Sequence, residues 1–287
     1  MTQIILHLGA HRTASTHVQG VLQKNQALLA AAGIAAPSQE AVKIALTKPL
    51  GTRIPALRAG FRQLHTNAKT VVISDENLLG FLNSIFIHGQ FYPDTAMRMA
   101  QLRAMLPVDP QKIIIAIRPY ESFFASAYGR WLAPDRPVLP RATLAKQVLG
   151  LARGWGEVLA EVAAAFPNSV LLVKEYSPDP RFGPAVLNAI LGPLAQQLVY
   201  NPGFRWNRSM SARQTTLYEQ AVAAGDAEQA DEIRSWRRFK QPPLLEGFWD
   251  APTRAALQAR YATDRAAIRE RFPAFVSAKA FEEQDAG

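Results

Sequence analysis

The stretch that most constrains this chain lies near its start, where an apolar run meets a polar turn and then a helical pattern. Residues 4–8 (IILHL) predict a buried strand, and an amphipathic pattern over residues 15–32 predicts a helix. The turn holds a cation, a small residue and three hydroxyls: Arg12, Thr13, Ala14, Ser15 and Thr16. Because a helix begins with unpaired N–H groups and a positive dipole end, this turn predicts a phosphate site for a nucleotide.

The charge of the chain suits an anionic ligand. Its 287 residues include 32 Lys and Arg against 23 Asp and Glu, a formal net charge of +9. There is no cysteine, which excludes a disulfide scaffold, a thiolate metal site and a cysteine nucleophile. The sequence has neither a long uninterrupted apolar run nor a signal-peptide pattern, so we expect a cytoplasmic protein.

Strand and helix patterns alternate over about the first two hundred residues. Apolar runs at 70–74, 112–117 and 169–173 predict strands, and the segments between them carry helical patterns, the longest over 144–166. This alternation predicts an α/β fold with a three-layer parallel sheet flanked by helices. Helical patterns dominate after residue 202. We therefore predict a single domain over 1–287, with an α/β core (1–200) and a mainly helical C-terminal annex (201–287).

The turn at residues 9–16 has the outline of a Walker A loop but lacks its Gly-Lys-Ser/Thr ending. Ordinary ATP or GTP hydrolysis is therefore disfavoured. A polar helix cap without a ligand would give a similar local sequence, so this motif alone does not define a site.

A second motif follows the strand at 112–117. Arg118 closes that strand, and Ser126 lies eight positions later, two turns along the next predicted helix. A guanidinium at a strand end and a hydroxyl on the following helix can hold one phosphate from two sides. Taken alone, a strand-end arginine is typical of a surface ion pair, and a helix serine is unremarkable.

Together the stretches IILHLGAHRTASTHVQ and IIIAIRPYESFFASAY resemble the two nucleotide motifs of sulfotransferases that use 3′-phosphoadenosine 5′-phosphosulfate (PAPS). The likeness covers most of residues 3–211. VVISDENLL and RWNRSMS resemble less specific stretches of bacterial members. The resemblance implies a P-loop-like fold, and a donor site with the 5′-phosphosulfate on residues 12–16 and the 3′-phosphate on Arg118 and Ser126.

The resemblance also implies an enzyme that moves a sulfuryl group to a hydroxyl or amine acceptor and releases PAP, with no metal required. Arg12 would stabilise the charge on the leaving phosphate, and Glu76, beyond the strand at 70–74, would be the base. Asp75 is the second candidate and His88 a rival, while a helix-capping role explains Glu76 equally well on local sequence. His7 is expected in the core, and His17 and His11 in capping or packing.

Two positions depart from the family pattern. Arg12 stands where a lysine is usual, and arginine does not in practice give up a proton. Ala14 replaces a glycine and needs backbone angles that tolerate a Cβ. A catalytically weak or dead homologue that binds PAP or another anion, and a nucleotide-dependent kinase, therefore remain as alternatives.

Partners are less defined by the sequence. The acceptor can be a glycan, a lipid or a small metabolite, with peripheral membrane contact if it is a lipid. No nucleic-acid groove is predicted, because such a groove needs basic residues interleaved with aromatic ones, and residues 234–240 (RSWRRFK) are the one short stretch of that kind. That stretch could close over the nucleotide, meet an acidic acceptor or form a solvated helix face, the interpretation that is slightly favoured. The sequence leaves the oligomeric state open.

Overall fold

The structure, a computed structural model, describes residues 2–50, 54–64, 68–133, 136–200, 210–236 and 247–278. Five strands form one parallel sheet in these ranges: β1 (Gln3–His7), β2 (Ile34–Ala35), β3 (Thr70–Ser74), β4 (Lys112–Ile117) and β5 (Val170–Glu175). Their order is β2-β3-β1-β4-β5, and each neighbouring pair is parallel. The predicted strands are confirmed, and β2 is an additional edge strand.

The α-helices, in chain order, are α1 (Ser15–Lys24), α2 (Gln26–Ala31), α3 (Gln39–Val42), α4 (Ile54–Leu64), α5 (Asn83–His88), α6 (Thr95–Met105), α7 (Tyr120–Trp131), α8 (Arg141–Leu149), α9 (Trp155–Ala165), α10 (Phe182–Leu191), α11 (Ala212–Ala223), α12 (Ala227–Ser235) and α13 (Ala251–Arg271). A π-helical turn spans Lys43–Thr47, and 3₁₀ turns span Glu76–Leu78 and Gly192–Gln197.

Helices cover both faces of the sheet. Because successive strand residues point to opposite faces, Ile4 packs in a cluster with α6, α7 and α9, whereas Ile5 packs with α1 and α10. Both clusters are apolar and buried, which explains why the strands read as continuous hydrophobic runs. The prediction of an α/β fold with a flanked parallel sheet is confirmed.

The helix expected over residues 144–166 is two helices, and this prediction was wrong. Residues 150–154 separate α8 from α9, and Gly154, immediately before α9, has an extended backbone. The Glu157 carboxylate accepts the Gly154 N–H at 2.7 Å, which caps the new helix. The pattern on either side of the break stays apolar, so the periodicity did not reveal it.

The helix expected over residues 15–32 also divides, into α1 and α2. Asn25 lies at the junction, where its side chain donates to the carbonyls of Val21 at 2.8 Å and Val199 at 3.0 Å. An asparagine that bonds nearby backbone competes with helix continuation. A distant segment therefore stabilises the break.

The C-terminal part packs onto the α/β core. Helix α13 contacts α7, α8 and α9, and Val276 forms an isolated parallel bridge with Lys174 at the outer edge of β5. Among the described residues, the helices fall short of the length and apolarity that a membrane span requires.

Candidate functional site

The candidate site lies where the sheet topology opens a crevice. From β1 the chain continues toward β2 on one side of the sheet, and from β4 toward β5 on the other. The loops after β1 and β4, which are neighbouring strands, therefore diverge. In open α/β sheets, ligands bind beyond the carboxyl ends of strands at such a point. The polar turn after β1 and Arg118 after β4 flank this crevice.

The turn after β1 has an unusual backbone. Arg12 and Ala14 have φ angles of 66° and 67°, and Gly9 has 31°, whereas Thr13 keeps a negative φ. Alternating backbone conformations of this kind form concave anion sites from successive N–H groups. Within the described residues, the N–H groups of residues 13–16 have no protein acceptor, as expected at the start of α1. These donors are available to an anion.

The hydroxyls of the turn divide into two groups. Thr13 Oγ1 donates to the Ala10 carbonyl at 2.5 Å, and Ser15 Oγ donates to the same oxygen at 3.3 Å. Both side chains are buried, and their hydrogen bonds to Ala10 stabilise the conformation of the turn. Thr16 is exposed. Of the three hydroxyls, that of Thr16 is the one open to solvent.

The two sequence motifs meet in the structure. Arg12 Nε donates to Ser126 Oγ at 2.9 Å, although 114 positions separate these residues. Arg118 Nη1 donates to the Arg12 carbonyl at 2.6 Å, and Arg118 Nε donates to Ser122 Oγ at 2.9 Å. The Arg118 guanidinium also lies 4.6 Å from the centre of the Tyr176 ring. The predicted donor-site residues of both motifs are thus brought together.

This meeting point is strongly positive. Burial, together with the positive charges of Arg118 and Arg130, lowers the pKa of Arg12 to about 10. Burial also lowers the pKa of Arg118. Both guanidiniums remain protonated at neutral pH. Like charges held close together in a partly buried site favour an anion between them.

Asp75, which follows β3, is fully buried and has structural partners. Its Oδ2 accepts the Thr47 hydroxyl at 2.5 Å, and its Oδ1 accepts the backbone and side-chain N–H groups of Asn77 at 3.0 and 2.7 Å. Gln39 Nε2 lies 3.4 Å from the same Oδ1. The carboxylate therefore caps the 3₁₀ turn and links it to the π-helical turn at Thr47.

Glu76 is half-buried and faces α1, the helix that follows the turn at residues 9–16, called the anion loop below. Gln19 of α1 donates to its Oε2 at 3.0 Å, and Gln39 donates to its Oε1 at 3.3 Å. Because β3 lies beside β1, the end of β3 is adjacent to the loop. Glu76 thus lies beside the anion loop with fewer fixed donors than Asp75.

His11 joins the loop after β1 to the turn after β3, a role that the sequence did not indicate. Its Nδ1 lies 2.8 Å from the Tyr92 hydroxyl, and its Nε2 lies 3.1 Å from Asn77 Oδ1. Burial lowers the pKa of His11, while the negative charge of Glu76 acts in the opposite direction. In the sequence, the one indication of this contact was the aromatic stretch that contains Tyr92, and such a stretch is equally typical of a packed core.

The other described histidines lie apart from this contact. His7 is buried below the loop, with Nδ1 2.8 Å from Ser74 Oγ, and burial lowers its pKa to about 4. It is a core histidine, as predicted. His17 stacks on Tyr200, with ring centroids 6.3 Å apart. His88 is the exposed last residue of α5, and His65 lies outside the described residues.

A cavity of about 750 Å³ lies elsewhere, between α7 and α13, with Pro119, Glu121, Glu175 and Tyr261 in its lining. Residues 12–16 and Ser126 are not part of it, so cavity size does not mark the anion loop. In the described ranges there is no group of His, Asp and Glu side chains that could hold a metal ion. Arg234 lies in the last turn of α12, and residues 237–240 of the basic stretch lie outside the described part.

No family model matches this chain, and neither the curated proteins nor the solved structures contain a significant match. The case for a function therefore depends on the residues and geometry of this chain.

Proposed function

We propose that this chain is a PAPS-dependent sulfotransferase with a P-loop-like fold. The observation that carries the proposal is the contact between Arg12 and Ser126, with Arg118 bound to the carbonyl of Arg12. A site for one phosphate would need only the loop. Two groups of phosphate-binding residues at one crevice suit a nucleotide with phosphates at both its 5′ and 3′ ends.

In this proposal the donor spans the crevice. The N–H groups of residues 13–16 and the Arg12 guanidinium bind the 5′-phosphosulfate. Ser126 and Arg118 bind the 3′-phosphate, and Tyr176 supports the Arg118 guanidinium from its other side. Thr16, whose hydroxyl is exposed, adds a donor at the start of α1.

The reaction is an in-line displacement at sulfur. The acceptor oxygen or nitrogen forms a bond to sulfur while its proton passes to the Glu76 carboxylate. The bond between sulfur and the bridging oxygen breaks, and its electron pair stays on the 5′-phosphate, where Arg12 and the loop N–H groups stabilise the charge. The products are the sulfated acceptor and PAP. Glu76 suits the base better than Asp75, whose oxygens already accept from Thr47 and Asn77.

A catalytically weak homologue that binds PAP is the second candidate. The observation that favours it is the left-handed backbone of Ala14, where glycine would fit without strain. A kinase is less favoured, since the loop lacks the lysine of a Walker A motif. For a sulfotransferase, the acceptor class (glycan, lipid or small metabolite) is identified by screening acceptors with labelled PAPS.

Nucleotide binding is tested by thermal unfolding with PAP, PAPS or ATP. At a concentration a hundredfold above its Kd, a ligand adds about 2.7 kcal/mol to the free energy of unfolding, which raises Tm by about 5–10 °C. We expect this increase with PAP and PAPS. Stabilisation by ATP without stabilisation by PAP would contradict the sulfotransferase proposal and favour the kinase.

Replacing Glu76 by glutamine separates an enzyme from a binding protein. Glu76→Gln should keep PAP binding, since it stays able to accept from Gln19, but should lower turnover by about 10²–10⁴-fold. Glu40→Gln, which removes an exposed carboxylate on α3, is the control. Equal turnover in the two variants would remove Glu76 as the base, and no turnover in the unmodified protein with any acceptor would favour the binding protein.

A further inference from the structure

Helix α7 carries a cation one turn beyond the serine of the candidate donor site. Ser126 and Arg130 are four positions apart and therefore lie on the same face of the helix. Ser126 is buried and accepts from Arg12 at 2.9 Å, whereas Arg130 is exposed. The helix thus places Arg130 at the solvent side of the contact between Arg12 and Ser126.

Arg12, which donates to this serine, has two further guanidiniums near it, those of Arg118 and Arg130. The charges of Arg118 and Arg130 both act on Arg12 and disfavour its protonated form. Within the described ranges, Arg130 has no carboxylate at ion-pair distance. Both charges repel that of Arg12, and a dianionic phosphate bound at Ser126 would offset this repulsion.

Arg118 is also partly committed to the protein. Its Nη1 and Nε donate to the Arg12 carbonyl and to Ser122, and its face lies against Tyr176. These contacts hold the left-handed Arg12 in place and leave Nη2 for a ligand. A phosphate at Ser126 would therefore gain from a further cation, and Arg130 lies on the same helix face as this serine.

We propose that Arg130 is a specificity-determining residue of the donor site, which selects nucleotides that carry a second, 3′-phosphate group. The inference rests on the proposed function, because it assigns the phosphate at Ser126 to the ribose end of PAPS. It adds a residue that neither sequence motif includes. Because Arg130 shares the helix face of Ser126, its guanidinium contributes more affinity to the 3′-phosphate than to the 5′ end, which it reaches only through its charge on Arg12.

The test is isothermal titration of PAP and of 5′-AMP, which lacks the 3′-phosphate. Arg130→Gln should weaken PAP binding about tenfold, as expected for a charged hydrogen bond, and change AMP binding by less than about twofold. Arg130→Lys keeps the charge without the planar fork and should fall between. Arg254→Gln, which removes an exposed arginine from α13, should leave both affinities unchanged.

Salt provides a second measurement on the same samples. PAP binding to the unmodified protein should weaken more steeply with ionic strength than PAP binding to Arg130→Gln, because the variant lacks one exposed charge contact with the nucleotide. If Arg130→Gln weakens the affinities for PAP and AMP equally, or changes neither, Arg130 has no role in specificity. PAP binding by the unmodified protein would still support the proposed function in that case. If the unmodified protein binds no PAP, both proposals are wrong.

Discussion

Replacing Ala14 by glycine tests the backbone geometry of the anion loop directly. Ala14 precedes α1 with φ 67° and ψ 13°, in the left-handed region. A residue with a Cβ is destabilised there by roughly 1–2 kcal/mol, because the Cβ approaches the following carbonyl oxygen. Glycine has no Cβ and adopts these angles without that cost.

The size of the effect follows from two opposing terms. Glycine relieves the left-handed strain, but it also adds conformational freedom to the unfolded chain, which lowers stability by roughly 0.4–1 kcal/mol. The net expectation is that Ala14→Gly raises the free energy of unfolding by about 0.5–1 kcal/mol. For a chain of this size, Tm should rise by about 1–3 °C.

Urea titration of the variant and of a matched control decides the sign. Ala256→Gly makes the same chemical change on the exposed face of α13, where the backbone is helical, and should lower the free energy of unfolding by about 1 kcal/mol. Opposite shifts of the two midpoints are expected. A decrease in Ala14→Gly as large as that in Ala256→Gly would refute the left-handed conformation of residue 14.

Two further predictions concern the scaffold. Gly154→Ala would bring a Cβ into collision with the Tyr120 hydroxyl and the Asp264 carboxylate, and should lower the free energy of unfolding by about 2 kcal/mol or more. Gly156 lies within α9 with open space around it, so Gly156→Ala should raise the free energy of unfolding by up to about 1 kcal/mol. Calorimetric Tm values measure both, and shifts of equal sign would contradict the predicted collision. The folded-state pKa of His7 is about 4, below the ordinary 6.5, so the unfolded chain binds the proton more tightly and stability falls as pH drops below about 6.5. Protonation of His7 should account for about 2 kcal/mol of the decrease in the free energy of unfolding between pH 7 and pH 5. Urea titrations of His7→Asn should therefore show a weaker dependence of this free energy on pH. An unchanged pH dependence would exclude this role for His7.

The central strands could be predicted from the sequence because they are buried on both faces. The observed β3 and β4 coincide with the apolar runs at 70–74 and 112–117. The two-residue edge strand β2 has no such run and was missed. The helix breaks were missed because they depend on single capping side chains, at Asn25 and Glu157, within patterns that otherwise stay apolar.

Some features of the candidate site could likewise be predicted from the sequence, and others depend on the tertiary structure. The sequence alone supplied the chemistry: a cation and hydroxyls at the start of a helix, and an arginine at a strand end eight positions before a serine. These features depend on residue type and spacing within a single element, which the local sequence encodes directly.

The tertiary structure decided which of these groups meet. The strand order places β1 between β3 and β4, and so brings Arg12 to Ser126 and Glu76 to Gln19. It also distinguished Asp75, whose partner Thr47 comes from a distant segment, from Glu76 beside the loop. Side-chain partners depend on how remote elements pack, and neither spacing nor periodicity along the chain contains that information.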